Sequence, residues 1–298
     1  VARISVGPAQ IIAARRRRAC ETARVRASQP SVGVVGHVEW VQFARVERVP
    51  RVGEVAHARE PFEEPAGGGA VAAVQLARLA GRAVLVTALG DDVEGARSRE
   101  RLAELGVEVR AATRGEPTRR AITLLDDADE RTIVTLGPRL EPLGGETKLQ
   151  PLDAVYFTAG DLEALRIARA AARVLVASPR ARSALGRGVR VDALVLSGED
   201  ELEREASKQA RGEAALVLET EGERGGRYTT RDGASGRWEA TPLPGPRADS
   251  YGCGDSFAAG LTYGLGAGMT LAEALELAAR CGAACATGRG PYERQLGA

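Results

Sequence analysis

Lysine is almost missing from this sequence. Lys148 and Lys208 stand against 39 arginines in 298 residues. That scarcity excludes one route to phosphate binding, the GxxxxGK[ST] loop whose lysine reaches the β- and γ-phosphates, and the pattern occurs nowhere in the chain. Any phosphate chemistry must rest on backbone amides, arginine and a metal ion. Aromatic residues make up only 4%, so the core has to be filled with Ala, Val and Leu. At 44% hydrophobic residues there is enough for a sizeable one. Four cysteines (Cys20, Cys253, Cys281 and Cys285) are too few and too scattered for a disulfide framework. A reducing compartment is expected, and with it a cytoplasmic location. Cys281 and Cys285 lie four apart on a predicted helix and are read as two small buried residues, since His37 and His57 are the only histidines. No apolar run approaches the roughly 18 residues that span a bilayer, so no membrane partner is expected.

The formal net charge of +1 speaks against a general basic surface, and no nucleic-acid partner is expected. The balance is uneven along the chain. Residues 1–30 hold seven arginines against one acid, Glu21. The run "ARRRRAC" is read as a solvated basic extension rather than an arm for nucleic acid or membrane, and "AQIIAA" is too short for a signal-peptide core.

Residues 31–298 form the folded part. "SVGVVG" reads as a buried strand, followed by extended pieces at "WVQFARV" and "GEVAHA". "GGGAVAAVQLARLAG" is a glycine-led helix, "AVLVTALG" a strand, "VEGARSRERLAELG" an amphipathic helix and "VEVRAA" a strand. "RRAITLLDD" and "ERTIVTLG" pair as a hairpin. The second half alternates short apolar strands with helices and closes with helices near 254–266 and 271–287. The fold class is therefore α/β, a mostly parallel sheet covered on both faces, with the early strands and the hairpin forming a separate small sheet.

Chemistry concentrates at "DSYGCGDSFAAGL", residues 249–261. Gly252 and Gly254 flank Cys253 just before a helix, whose free amides and dipole favour an anion. Asp255 at that point has two readings. It takes a proton from an alcohol attacking a phosphate, or it caps the helix, and the local chemistry admits both. "LETEGERGG" (218–226) places Thr220, Gly222 and Gly225 where backbone approaches a ligand closely or merely turns. In "VLSGEDELE", Glu199, Asp200 and Glu201 stand at a strand-to-helix junction, as dipole complements or as a site for metal-bound water.

The ordered set "AGGGAVAAVQLARLAG", "ALGDDVEGARSRERLAELGVEV", "EPTRRAITLLDDADERTIV", "TEGERGG" and "DSYGCGDSFAAGL" resembles the ribokinase-like (phosphofructokinase-B type) carbohydrate kinases over residues 31–298. The resemblance implies a three-layer sandwich with a small β-sheet lid, from about 37–62 and 115–136. It implies an ATP-dependent kinase acting on a hydroxyl of a sugar or nucleoside, with Mg2+, and with K+ in some members. Asp255 matches the general base, and Gly252, Cys253 and Gly254 the anion hole. Thr220, Gly222 and Gly225 match the nucleotide loop. Gly67 and Gly68 match the diglycine against the sugar, and Glu201 the metal-side glutamate. Asp249 and Ser250 match a pair that helps bind the monovalent cation. By analogy, lids pair in a homodimer.

Three positions depart from the pattern. Gly198 stands for an Asn before Glu201, Val71 for a sugar-binding Asn, and Val41 for a sugar-binding Asp. Glu39 is the replacement candidate for hydroxyl recognition. Arg119, Arg120 and Arg131 lie in the expected lid, as solvated strand charges or as anchors for an acidic sugar. The lost anchors keep one alternative in view, a catalytically silent ligand-binding or regulatory protein on the same fold. A nicotinamide enzyme is disfavoured because no GxGxxG follows the first strand.

Overall fold

The computed structural model describes residues 29–127 and 130–297; the expectations for the basic extension and Cys20 lie outside them up to residue 28. The first strand, β1 (Val32–Val35), is buried at every position. It pairs in parallel with β4 (Ala83–Gly90) on one side and β8 (Leu152–Phe157) on the other. β5 (Val107–Arg114) extends the β4 side. The β8 side continues through β9 (Ala172–Ala177), β10 (Val191–Ser197) and β11 (Ala214–Thr220), all parallel. An antiparallel pair, β12 (Gly226–Thr230) and β13 (Ser235–Trp238), finishes the nine-stranded sheet.

Alternate residues of these strands enter two different cores, so the sheet is covered twice. Val34, Leu85 and Tyr156 pack with α1 (Gly68–Ala80), α5 (Cys253–Gly266) and α6 (Leu271–Cys285). Val35, Val86 and Phe157 pack on the other face with α3 (Leu162–Ala171). Ala210, at the end of α4 (Glu201–Ala210), belongs to that second core. This is the expected three-layer arrangement, and Ala, Val and Leu do fill it.

β2 (Glu39–Arg45), β3 (Arg59–Ala66), β6 (Arg120–Leu125) and β7 (Arg131–Leu136) form the separate small sheet, in the order β3-β2-β6-β7. One expected strand is corrected. "GEVAHA" is fully exposed and unpaired, and pairing begins only at Arg59. The true strand, "REPFEEPA", carries two prolines and four charges, which hide it from a hydrophobic pattern. β3 is an edge strand, where proline costs no ladder bond on the open side.

The motif "GDDVEG" has a structural task. Asp92 caps α2 (Val93–Glu104) by accepting from Gly95 N at 2.8 Å. It also accepts from Thr118 N at 2.6 Å and from Thr118 Oγ1 at 2.7 Å, tying the helix to the segment that enters β6. Burial works against its ionisation, yet the bonds from Thr118 and Gly95 outweigh it and hold the carboxyl below its usual range. Its folded-state value lies under the unfolded one, so its contribution is complete above about pH 4 and fades on acidification. Asp92→Ala is expected to cost about 1–2 kcal/mol at pH 7, measured by urea unfolding. An equal cost at pH 3 would contradict the ionised cap. Among the described residues no helix is long and apolar enough to cross a membrane.

Candidate active site

The chain leaves β1 in one direction for β4 and β5 and returns to the other side at β8. β1 and β8 are therefore where the strand order reverses, and ligands of open α/β sheets bind beyond the carboxyl ends of strands at such a point. Five strand ends line up there. β1 delivers His37, β8 delivers Thr158, β9 delivers Arg180, β10 delivers Ser197, and β11 delivers Thr220. The parallel register sets them side by side: Thr158 N donates to Val35 O at 2.9 Å, and Ser178 N to Phe157 O at 3.0 Å.

Two helix N-termini close on this edge. α1 starts at Gly68, so near the end of β1 that Gly69 N donates to His37 O at 3.1 Å. α5 starts at Cys253, behind Gly252 at φ +81°. A side chain at Gly252 would be strained by that φ and would meet Val71 Cγ1 at 2.8 Å. Val71 is fully buried against this turn, so the residue standing for the family's Asn serves packing. Val41 is buried in the same core.

Asp255 lies in the first turn of α5, but it does not cap the helix. Gly252 occupies the cap position, with no side-chain cap bond. The carboxylate instead turns to the edge of the sheet. A Cβ on Gly68 would stand 2.9 Å from Asp255 Oδ1 and 3.1 Å from Thr158 Oγ1. Only glycine leaves room for the acid there. Its other oxygen, Oδ2, pairs with Arg180 Nη1 at 3.5 Å. Burial pushes the Asp255 carboxyl above the ordinary range, and Arg180 draws it partly back. A carboxylate raised in this way is a stronger proton acceptor than an ordinary one.

Arg180 is the hub of the arrangement. Its Nε donates to Glu203 Oε1 at 2.6 Å, and Glu203 Oε2 accepts from Ser197 N at 2.8 Å. Asp255, foremost, and Glu203 hold the guanidinium protonated. Arg180 keeps 41% of its side chain exposed while Asp255 and Glu203 keep 12% and 8%, so the cation is the most open member of the trio and Asp255 keeps a narrow access.

A second polar cluster is built on the small sheet. Glu39 is buried, with Oε1 accepting from Tyr251 Oη at 3.5 Å and Oε2 facing Arg119 Nε at 3.4 Å. Tyr251 Oη in turn accepts from Gly67 N at 3.2 Å. Burial raises the Glu39 carboxyl despite Arg119. His37 is buried beside them, and burial, with Arg139, Arg180 and Arg119, keeps its imidazole neutral. His37 Nδ1, Thr158 Oγ1 and Arg119 Nε are buried without a hydrogen-bond partner. The small sheet also grips the loop before α5. Arg45 Nη2 donates to Ala248 O at 2.9 Å, and Arg131 Nη1 donates to Ser250 O at 3.2 Å while lying over the Tyr251 ring.

At the other end, Thr220, Gly222 and Gly225 form the tight connection between β11 and β12. A side chain at Gly225 would run into Trp238. Trp238 stacks on Phe257 of α5 with centroids 5.6 Å apart. Beside it a cleft of about 510 Å3 opens between β12–β13 and α6, lined by Tyr228, Trp238, Leu271 and Leu275 among others. Arg247 bridges to Glu223 at 3.0 Å, joining this connection to the loop before α5.

The structure thus brings together Asp255, Gly252, Cys253, Gly254, Gly67, Gly68 and Glu39, with Thr220, Gly222 and Gly225 along the same edge. It does not bring Glu201. That side chain is exposed at the start of α4, capped by Asp200, and Glu203 is the acid that turns inward. Cys285 Sγ lies 3.4 Å from Tyr251 O, while Cys281 packs on Gly260. His37, Thr158, Arg180 and Glu203 escaped the sequence reading. The first three are signalled only by their place one to three residues past a buried strand.

A family model for the pfkB family carbohydrate kinases matches residues 29–295. The chain belongs to that family. Solved pfkB-type structures agree in fold. Ribokinase from Arabidopsis thaliana, complexed with ribose and ATP, is similar at TM-score 0.69 and 20% identity, over 89% of this chain and 95% of its own. Ribokinase from Cryptococcus neoformans var. grubii with ADP gives 0.68 and 21%, over 89% and 96%. A Burkholderia thailandensis nucleoside kinase with inosine gives 0.72 and 18%, over 89% and 94%. No curated protein matches in sequence.

Proposed function

We propose that this pfkB-family kinase transfers the γ-phosphoryl group of ATP to a hydroxyl of a sugar or nucleoside, with Asp255 as general base. The observation that carries this is the Asp255 carboxylate itself. It is largely shielded, raised in pKa, free of any capping duty and set against Gly68 at the mouth of a helix N-terminus. Asp255 takes the proton of the attacking hydroxyl, and the 252–254 amides face the charge that develops on the phosphoryl oxygens. Arg180 lies between Asp255 and Glu203 and holds both acids in place. Glu39, His37, Arg119 and Thr158 supply the polar contacts for acceptor hydroxyls that Val41 and Val71 cannot. The cleft beside Trp238 suits a purine base, and the turn at Thr220, Gly222 and Gly225 borders its phosphates.

Among the described residues no three metal-ligating side chains cluster. Mg2+ would supply charge neutralisation on the ATP phosphates, and Glu203 rather than Glu201 is the inward-turned acid that would face it. Asp249 spends its two oxygens on Tyr251 N at 2.8 Å and Gly290 N at 3.2 Å. Those bonds make it a loop tie, and no step is assigned to K+.

Coupled ADP release across a panel of sugars and nucleosides, at varied Mg2+ and K+, tests the reading. Acceptor-dependent release that needs Mg2+ supports it. Measurable ligand binding with no release from any acceptor would favour the silent binder, which the Arg180–Asp255 ion pair makes worth testing.

Homodimer formation is part of the proposal. β7 is the open edge of the small sheet and leaves Ile133, Val134 and Leu136 exposed by 39–51%. An apolar edge of this kind invites pairing with a second copy. Light scattering should report a dimer, and Val134→Lys should shift it toward monomer. A wild-type monomer at tens of micromolar removes the dimer from the proposal.

A further inference from the structure

The thiols of Cys253 and Cys285 meet behind the anion-hole turn. Cys253 opens α5 and Cys285 closes α6. They are near enough for each thiol to shift the ionisation of the other. Both also touch the backbone of one short loop, Cys253 Sγ at 3.9 Å from Asp249 O and Cys285 Sγ at 3.4 Å from Tyr251 O. Both are free thiols. A Cβ on Gly282 would stand 3.3 Å from Cys253 O, so the end of α6 is pressed against the start of α5. Cys281 packs elsewhere, on Gly260.

The two thiols are unequal. Cys253 is partly exposed beside the open Gly254, while Cys285 is fully buried. The nearby Cys285 holds the Cys253 thiol below the usual range, assisted by Arg131 and Arg247. Cys253 and burial together push Cys285 upward. An accessible, acidified thiol beside a buried partner is the pairing of an attacking and a resolving cysteine.

We propose that Cys253 and Cys285 form a peroxide-sensitive redox site, in which a disulfide displaces the 252–254 amides and weakens their hold on the γ-phosphate. The Cys253 thiolate attacks one oxygen of hydrogen peroxide. An S–O bond forms, the O–O bond breaks, and the departing hydroxide takes up a proton as water. The Cys285 sulfur then attacks the sulfenic sulfur, and its proton leaves with the expelled hydroxide as a second water. Two electrons pass from the sulfurs to the peroxide, and a dithiol such as dithiothreitol reverses the change. An S–S bond of about 2.05 Å is far shorter than any non-bonded S···S contact, so forming it draws Cys253 and the end of α6 together.

The effect on nucleotide rests on the proposed kinase reading; the disulfide does not. The full chain, reduced or peroxide-treated, is alkylated, digested without reductant and mapped by mass spectrometry. A linked Cys253–Cys285 peptide pair is expected after treatment. Separate alkylation of both cysteines, or pairing of either with Cys20 or Cys281, overturns the site. In parallel, MgATP and MgADP are titrated by tryptophan fluorescence. Oxidation should weaken MgATP by about tenfold, the scale of one lost hydrogen bond to a charged group, and leave MgADP nearly unchanged. Dithiothreitol should restore the affinity, and Cys285→Ser should abolish the response. An equal loss of both nucleotides, or a loss that persists in Cys285→Ser, overturns the link to the anion hole. If that variant fails to fold, reversal by dithiothreitol in the native chain decides. If the reduced chain binds no MgATP, the kinase reading falls while the peptide map still decides the disulfide.

Discussion

Asp255→Asn is expected to lower turnover by about 10²–10⁴-fold, the range a positioned general base contributes. Once an acceptor is found by ADP release, the same assay reads the loss. Asparagine keeps the shape of the side chain and its place against Gly68, so MgATP affinity should hold. Stability should hold or rise. Burial raises the folded-state value of Asp255 above its unfolded one, so the ionised form opposes folding once pH exceeds both values. Removing that charge removes the opposition. The same shift sets the pH profile: kcat/KM should fall on acidification at a higher pH than an unperturbed carboxylate near 4 would give. Near-normal turnover in Asp255→Asn would sink the base assignment.

Arg180→Met should act on the same proton from the other side. Arg180 Nη1 lies 3.5 Å from Asp255 Oδ2 and favours its ionised form. Without the cation the Asp255 carboxyl rises further, so the acid limb of kcat/KM moves to higher pH. Turnover at pH 7 should drop about tenfold or more and recover as pH rises. Arg180→Lys should return the limb toward its original position, because a charge suffices for Asp255, but not the full rate, because Glu203 loses its Nε donor. A purely structural role would lower the melting temperature of Arg180→Met and leave the limb unmoved.

The fold was legible where burial is regular. β1, β4 and β8 to β11 are short apolar runs between helices, and the parallel sheet follows from them. β3 was not legible, because an edge strand with one open side tolerates the prolines and charges that pattern reading takes for a loop. In the site, Asp255 and its glycines were legible because a turn and a helix start are contiguous in sequence. His37, Thr158, Arg180 and Glu203 belong to four separate segments and meet only through strand register. Spacing from the family motif pointed to Glu201. Asp200 sets the phase of α4 by capping it, and that phase exposes Glu201 and turns Glu203 inward.

Arg45 and Arg131 fasten the small sheet to the carbonyls of Ala248 and Ser250, just before the anion-hole turn. The strands proposed to carry the acceptor contacts therefore bear on the backbone proposed to meet the phosphate. On that reading, acceptor and nucleotide are not independent guests. Whatever factor one changes in the other's equilibrium affinity must be returned in full, since coupling between two sites is reciprocal. Acceptor titrations with and without nucleotide would read that factor directly, and cutting the Arg45 tie should bring it toward unity.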